Sequence, residues 1–296
     1  MKLPSLTKQH QGEAYALGLS VIEAAFPLFA FFTVTALGAM HAYFYSLVIA
    51  TGLLVFWVIV RKKIHELTRV HAYKDLAFTS LYISILFSLV FLALQYTSPS
   101  HVMIILFLQV LFSYLFLGHQ ADEKLHRTHL FGVILMTVGA VIILFPADLK
   151  PNPGDFLALL AAIVAPIANY YQKRARQQVS SEIILMVRGL IALPFIYVLA
   201  LIFEPSPSWL MIKEQFIWLF LTGFLVFVLA KLMWIEALHR MPITKLNAMF
   251  AFSPLLTLFL VYLVLNEIPS WIQLFGALPI LIGSIFITQK LSSKSL

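Results

Sequence analysis

Residues 128–145 read THLFGVILMTVGAVIILF, and residues 272–289 read IQLFGALPILIGSIFITQ. At a shift of 144, Leu130-Phe131-Gly132 lies on Leu274-Phe275-Gly276, and Gly139 lies on Gly283. Each stretch is apolar over nearly the length a helix needs to cross a hydrocarbon layer, about 20 residues. The match runs backward without a gap: Glu123 meets Glu267, and Ala93-Leu94 meets Ala237-Leu238. Leucine and alanine coincide by chance in any apolar sequence, so the paired glycines and glutamates carry the weight. Nearer the start of each half, a shift of 142 lays Gly12-Glu13 on Gly154-Asp155. The same shift lays residues 46–50 (SLVIA) on residues 188–192 (RGLIA).

Outward from these two stretches, apolar runs recur along the whole chain. Spans are expected near 12–35, 40–60, 76–95, 99–118, 129–146, 154–172, 182–203, 214–238, 242–265 and 271–289. Hydrophobic residues make up 61% of the 296 and charged residues only 11%, where a soluble domain would carry about a quarter charged. The runs are continuous rather than alternating, which favours helices over the ~10-residue strands of a membrane barrel. Helices also satisfy their own backbone where lipid offers no partner. Residues 1–10 are polar and basic, and the apolar run from Gly12 is long for a signal peptide. The first helix is therefore expected to stay.

The cations give an orientation. Sixteen of the 20 lysines and arginines fall in the termini or the even-numbered connections, among them Arg61, Lys62, Lys63, Lys173, Arg174 and Arg176. The odd-numbered connections hold only Lys150 and Lys213. By the positive-inside rule, both termini are expected on the cytoplasmic side of the cell (inner) membrane. The net charge of +7 is then a topology signal, and no nucleic-acid partner is expected. The fold class expected is all-α integral membrane, with lipid as its solvent. Its ten helices form two five-helix repeats, 12–146 and 154–289. An odd number of helices per half makes the second enter the membrane inverted. Inverted repeats recur in secondary transporters, with the substrate held in a central cavity near midplane.

Two five-helix halves, basic residues after the sixth helix, and a glutamate before a Leu-Phe-Gly start in each half resemble a known family. The chain is similar to EamA-type permeases of the drug/metabolite transporter superfamily over about 12–289. Ala93-Leu94, Glu123, Leu130-Phe131-Gly132, Gly139, Arg188 to Ala192, Ala237-Leu238, Pro254, Glu267, Leu274-Phe275-Gly276 and Gly283 carry the resemblance. It implies alternating-access transport of small metabolites without a bound cofactor, and it does not imply one substrate. The sequence departs from the family's pattern in three places. Ser46 stands for an arginine in helix two, Val110 for a proline in helix four, and residues 20–23 for a tryptophan-glycine pair.

Ionisable groups inside spans cost a few kcal/mol to insert, so each is a functional candidate. Glu23, midway along helix one, can bind a cation or exchange a proton, which makes a coupled proton an expected partner. Arg188, two turns into helix seven, can hold a carboxylate or phosphate on its fork; the alternative is a structural pair, with Glu236 as one partner. Lys231 is too far from its helix end to snorkel with ease and shares a face with Trp234. Asn169, Gln109, Asn247 and His101 complete the expected substrate-binding set, His101 with an interfacial role as its alternative. Gly132, Gly139, Gly276 and Gly283 are expected to pack helices closely. Pro166 and Pro254 are expected to interrupt helices six and nine.

No Gly-rich phosphate loop, HExxH or nucleophile motif appears, and cysteine is absent. No enzyme activity, cofactor or metal is expected. The expected function is transport of an amino-acid-like, zwitterionic or anionic solute, by export rather than uptake. Alternatives are an amine, multidrug or vitamin transporter of the same fold, or a membrane-embedded lipid-modifying enzyme.

Overall fold

The computed structural model describes residues 8–117, 127–144, 152–241, 243, 246, 249–250 and 253–288. Among these residues every regular element is helical. The long helices are α1 (Lys8–Leu37), α2 (Ala39–Val60) and α3 (Tyr73–Ala93). The fourth apolar run is split into α4 (Pro99–Leu106) and α5 (Gln109–Leu117). There follow α6 (Arg127–Leu144), α7 (Pro153–Arg176) and α8 (Ser181–Phe203). Two short pieces, α9 (Trp209–Glu214) and α10 (Phe216–Leu221), lead into a π-helical stretch, Thr222–Ala230, and then α11 (Lys231–Arg240). The chain ends in α12 (Ser253–Leu265) and α13 (Trp271–Thr288).

By length and composition, seven of these segments can cross a membrane, and three shorter apolar helices lie within α6, α12 and α13. Large apolar side chains cover the outside, Phe56, Phe195, Phe203, Phe259 and Phe275 among them. Such a belt would be costly in water and is at home in lipid. This is an all-α, multi-pass membrane protein.

Local chemistry sets several helix ends. Ser98 caps α4, with Pro99 as the first residue of the helix. Asn152 caps α7 through Oδ1, which accepts the Gly154 N–H at 2.8 Å, and Pro153 opens that helix. Serine and asparagine supply the oxygen that the first turn's free N–H groups need, and a proline there forfeits nothing. The basic last turn of α7 (Lys173, Arg174, Arg176) suits its negative dipole end. At α2, the Glu204 carboxylate accepts from the Met40 and His41 N–H groups at 2.9 and 3.0 Å.

The expected interruption at Pro166 is not seen: α7 runs unbroken through it. Neighbouring helices can re-satisfy the backbone groups a proline frees. The break falls instead at Phe107 and Leu108, between α4 and α5, where there is no proline. Pro254 lies in α12, beside residues 251–252, which are outside the described ones.

Helix packing follows one pattern. α2 packs on α8, α6 on α13, and α4 on α12, while α3 packs on α7 and α1 on α11. Moving each helix along the chain by about 144 residues turns the α3–α7 pair into the α11–α1 pair and returns the others to themselves. Among the described glycines, the closest approach to a neighbouring backbone joins α6 to α13. A Cβ on Gly139 would strike the Gly276 carbonyl oxygen and Ile280, and one on Gly283 would strike the Gly132 carbonyl oxygen and Met136. Gly139 beside Gly276, with Gly132 beside Gly283, means that the two helices run antiparallel.

Candidate functional site

At the middle of the bundle lies a cavity of about 70 Å³. Residues of α1, α3, α4, α5, α7 and α11, with Phe250, line it. Its walls are mainly apolar, and its polar groups are Glu23, Lys231, Asn169, Gln109 and Gln172. At about 30 Å³ per molecule, it would hold roughly two waters. A metabolite needs several hundred Å³, so occupancy requires the helices to move apart.

Lys231 is the first residue of α11, directly after the π-helical stretch. A π turn holds more residues than an α turn and so rotates the next turn about the helix axis; such turns are frequent at functional sites. The Lys231 ammonium forms an ion pair with Glu23 of α1. The side chains of Glu23 and Lys231 are 7% and 13% exposed, too little for either to stay charged comfortably without a partner. Aromatic faces add to the cation's support: Lys231 Nζ lies 5.2 Å from the Phe87 ring centre and 5.8 Å from that of Trp234. Trp234 in turn donates its Nε1–H to Asn169 Oδ1 at 3.0 Å.

Arg188 does not line the cavity. It is 4% exposed and lies behind Phe87, with Cζ 5.9 Å from the ring centre. It does not pair with Glu236. That carboxylate takes Arg176 at 2.7 Å, together with Ser181 and Arg240. Five residues separate Lys231 from Glu236, and the helix carries Glu236 down to where α7 and α8 end and begin. Close by, Arg174 Nε stands 3.2 Å from Asp75 Oδ1, and Gln178 donates to Asp75 Oδ2 at 2.7 Å. These groups tie α3, α7, α8 and α11 together at the basic end of the bundle.

The other side of the Glu23–Lys231 pair is closed by rings. Phe26 stands one turn beyond Glu23 on α1. It joins Tyr43, Phe87, Phe91 and Phe227 in one cluster, with Phe87 and Phe227 at 4.9 Å and Tyr43 and Phe91 at 5.1 Å. The cavity thus sits between an aromatic plug and an ionic latch.

Of the residues expected in the site, Glu23, Lys231, Asn169 and Gln109 share the cavity. His101 does not reach it. It sits at the start of α4, its Nδ1 3.2 Å from both oxygens of Asp155, which also accepts from Thr97 at 2.6 Å. Asn247 lies outside the described residues. The residues not anticipated are Phe26, Phe87, Gln172 and Phe250. A signal for Phe87 did exist: the 144-residue spacing sets it opposite Lys231. Among the described residues, no three His, Asp or Glu side chains converge as a metal site.

A multi-pass helical protein with a paired charge in a central cavity has the make-up of a membrane transporter. The chain matches the profile of the EamA-like transporter family twice, over residues 10–145 and 152–289, and belongs to that family. It is 21% identical over 208 residues to a Synechocystis sp. protein named as an uncharacterized transporter, a match covering 67% of this chain and 60% of that protein's length. A protein of solved crystal structure shares the fold, with a TM-score of 0.69 over 95% of this chain and 97% of that one at 18% identity.

Proposed function

We propose that the protein moves a small polar metabolite, amino-acid-like or otherwise zwitterionic or anionic, across the cell's inner membrane by alternating access. Ten spans form two inverted halves, 12–146 and 154–289, which rock about the central cavity. Both termini lie on the cytoplasmic side, and the direction is export. The reciprocal glycine contact between α6 and α13 supports the inverted arrangement, and antiparallel packing of counterpart helices is what inversion demands.

The observation that carries this reading is the buried Glu23–Lys231 pair in the cavity wall. An ion pair kept dry inside a membrane bundle is costly as a stabilising device. It is useful where a polar solute is to be desolvated, because each charge can exchange its partner for a group on that solute. Glu23 can also pass a proton, which would couple transport to a gradient.

The test has two stages. A thermal-shift screen of purified protein against amino acids, organic acids, nucleotides, vitamins and amines finds solutes that bind, since a ligand of the native state raises apparent stability. Flux of those solutes is then measured in proteoliposomes. Glu23→Gln and Lys231→Ala are expected to abolish it while leaving reconstituted amounts intact. Unchanged flux in both variants would remove the pair from the transport site.

A further inference from the structure

Arg188 carries a charge that nothing among the described residues of the bundle balances. Glu23 on α1, Tyr43 on α2 and Lys231 on α11 are the titratable groups that act on it, and Phe87 of α3 faces it. Whichever of Glu23 and Lys231 holds the shared proton, that pair sums to zero. Tyr43 is neutral at ordinary pH, and a guanidinium keeps its proton in proteins. The nearby carboxylates are committed elsewhere: Glu182 to Lys63 at 2.8 Å, Asp75 to Arg174, and Glu236 to Arg176 and Arg240. Glu23, Lys231 and Arg188 together leave one net positive charge beside the cavity, and Arg188 Nη1 is buried with no hydrogen-bond partner among the described residues.

A buried cation without a counter-ion is among the costliest arrangements a fold can keep. Its natural complement is one negative charge, delivered by a group whose two oxygens match the guanidinium fork. Beside its polar groups, the cavity wall carries Phe26, Phe87, Trp234 and Phe250, which suit an apolar body. Phe87 both lines the cavity and covers Arg188, so a turn of that ring would join the cation to the cavity.

We infer that the transported solute is an organic monocarboxylate with an apolar or aromatic body and no balancing ammonium, and that Arg188 receives its carboxylate. This rests on the transport reading above and narrows its substrate from polar metabolites in general to net monoanions.

The experiment is isothermal titration of the purified full chain. The probes share three bodies (isobutyl, phenyl, indolyl), each presented as the acid, the amino acid and the amine, with inorganic phosphate as a separate arm. On at least one body the acid is expected to bind about tenfold or more tighter than its amino acid and amine. Arg188→Gln should weaken that acid by roughly 10- to 100-fold, the range for a hydrogen bond to a charged group, and Arg188→Lys should fall between. Should Arg188→Gln fail to fold, Glu23→Gln supplies the second arm: it adds one net positive charge and should shift preference toward the dicarboxylate of the same body. The inference is overturned if the amino acid or amine binds tightest on every body, if phosphate binds tighter than any acid, if no probe binds, or if Arg188→Gln binds the acid unchanged. Flux of a non-acid in proteoliposomes would sink the inference and leave the transporter standing; no flux of any solute would sink both.

Discussion

Gly139 and Gly283 pack reciprocally, each filling the space of its missing Cβ with the backbone of the other's helix: Gly139 against the Gly276 carbonyl and Ile280, Gly283 against the Gly132 carbonyl and Met136. Every member of one contact stands 144 residues from its counterpart in the other. Two equivalent helices meeting across a twofold axis would make such a contact, because whatever one presents, the other would present too.

Substitution at either glycine should therefore cost the same. Gly139→Ala and Gly283→Ala each place a methyl on backbone that has no rotamer to yield, and overpacking of this kind costs about 1–3 kcal/mol. Thermal unfolding in detergent should show two similar losses. Since both lie in one contact, the double variant should lose less than the sum. A neutral result at one glycine and a large loss at the other would contradict the reciprocal packing.

The Glu23–Lys231 pair makes a different kind of prediction. Removing one partner leaves the other without its ion-pair partner, at about 3–5 kcal/mol, whereas removing both leaves neither charge of the pair. Glu23→Gln and Lys231→Met should each lower the melting temperature clearly, and the double variant should recover most of the loss. A double variant as unstable as the sum of the singles would mean the two groups are held independently.

At the latch, Glu236 joins α7, α8 and α11 through Arg176, Ser181 and Arg240. Glu236→Gln keeps the shape and removes the charge. Hydrogen exchange at the last turns of α7 and α11 should rise about tenfold or more, as weakening of its two charge-assisted bonds allows, and stay unchanged around Phe87 at the plug. Equal exchange at both ends of the cavity would argue against separate closures.

His101 and Asp155 lie outside the cavity, so their effect should be on stability rather than affinity. His101→Gln should alter the Kd of any cavity ligand less than about twofold. Asp155→Ala strands both Thr97 and His101 and should cost about 1–3 kcal/mol. A large change in Kd with His101→Gln would return this residue to the binding site.

Much of the architecture is legible in the sequence because lipid imposes a length and a composition that no side-chain detail disturbs. The glycine spacings 132/139 and 276/283 mark the α6–α13 contact for a related reason: only glycine permits so close an approach. Glu23, Lys231, Asn169 and Gln109 are legible because polar groups at mid-span are expensive. The same logic misplaces His101, since a histidine in the first turn can reach a neighbouring helix's carboxylate. Phe26 cannot be distinguished by sequence from the phenylalanines facing lipid, because apolar periodicity says nothing about which ring touches a cation, and Phe87 is marked only by standing 144 residues before Lys231. The π-helical stretch that precedes Lys231 has no signal in TGFLVFVLA, residues 222–230, and the break at Phe107 has none either. Charge alone offers Glu236 to Arg188, but Arg176 and Arg240 reach that carboxylate instead.

The sequence contains no cysteine, so a single one can be placed without interference, and Ala165 in the cavity wall is small and buried. The most direct measurement is labelling of Ala165→Cys by a membrane-impermeant maleimide in vesicles of each orientation, with and without a solute from the screen. Alternating access requires the thiol to react from both faces, with solute speeding one and slowing the other. Reaction from one face alone, under every condition, would contradict it.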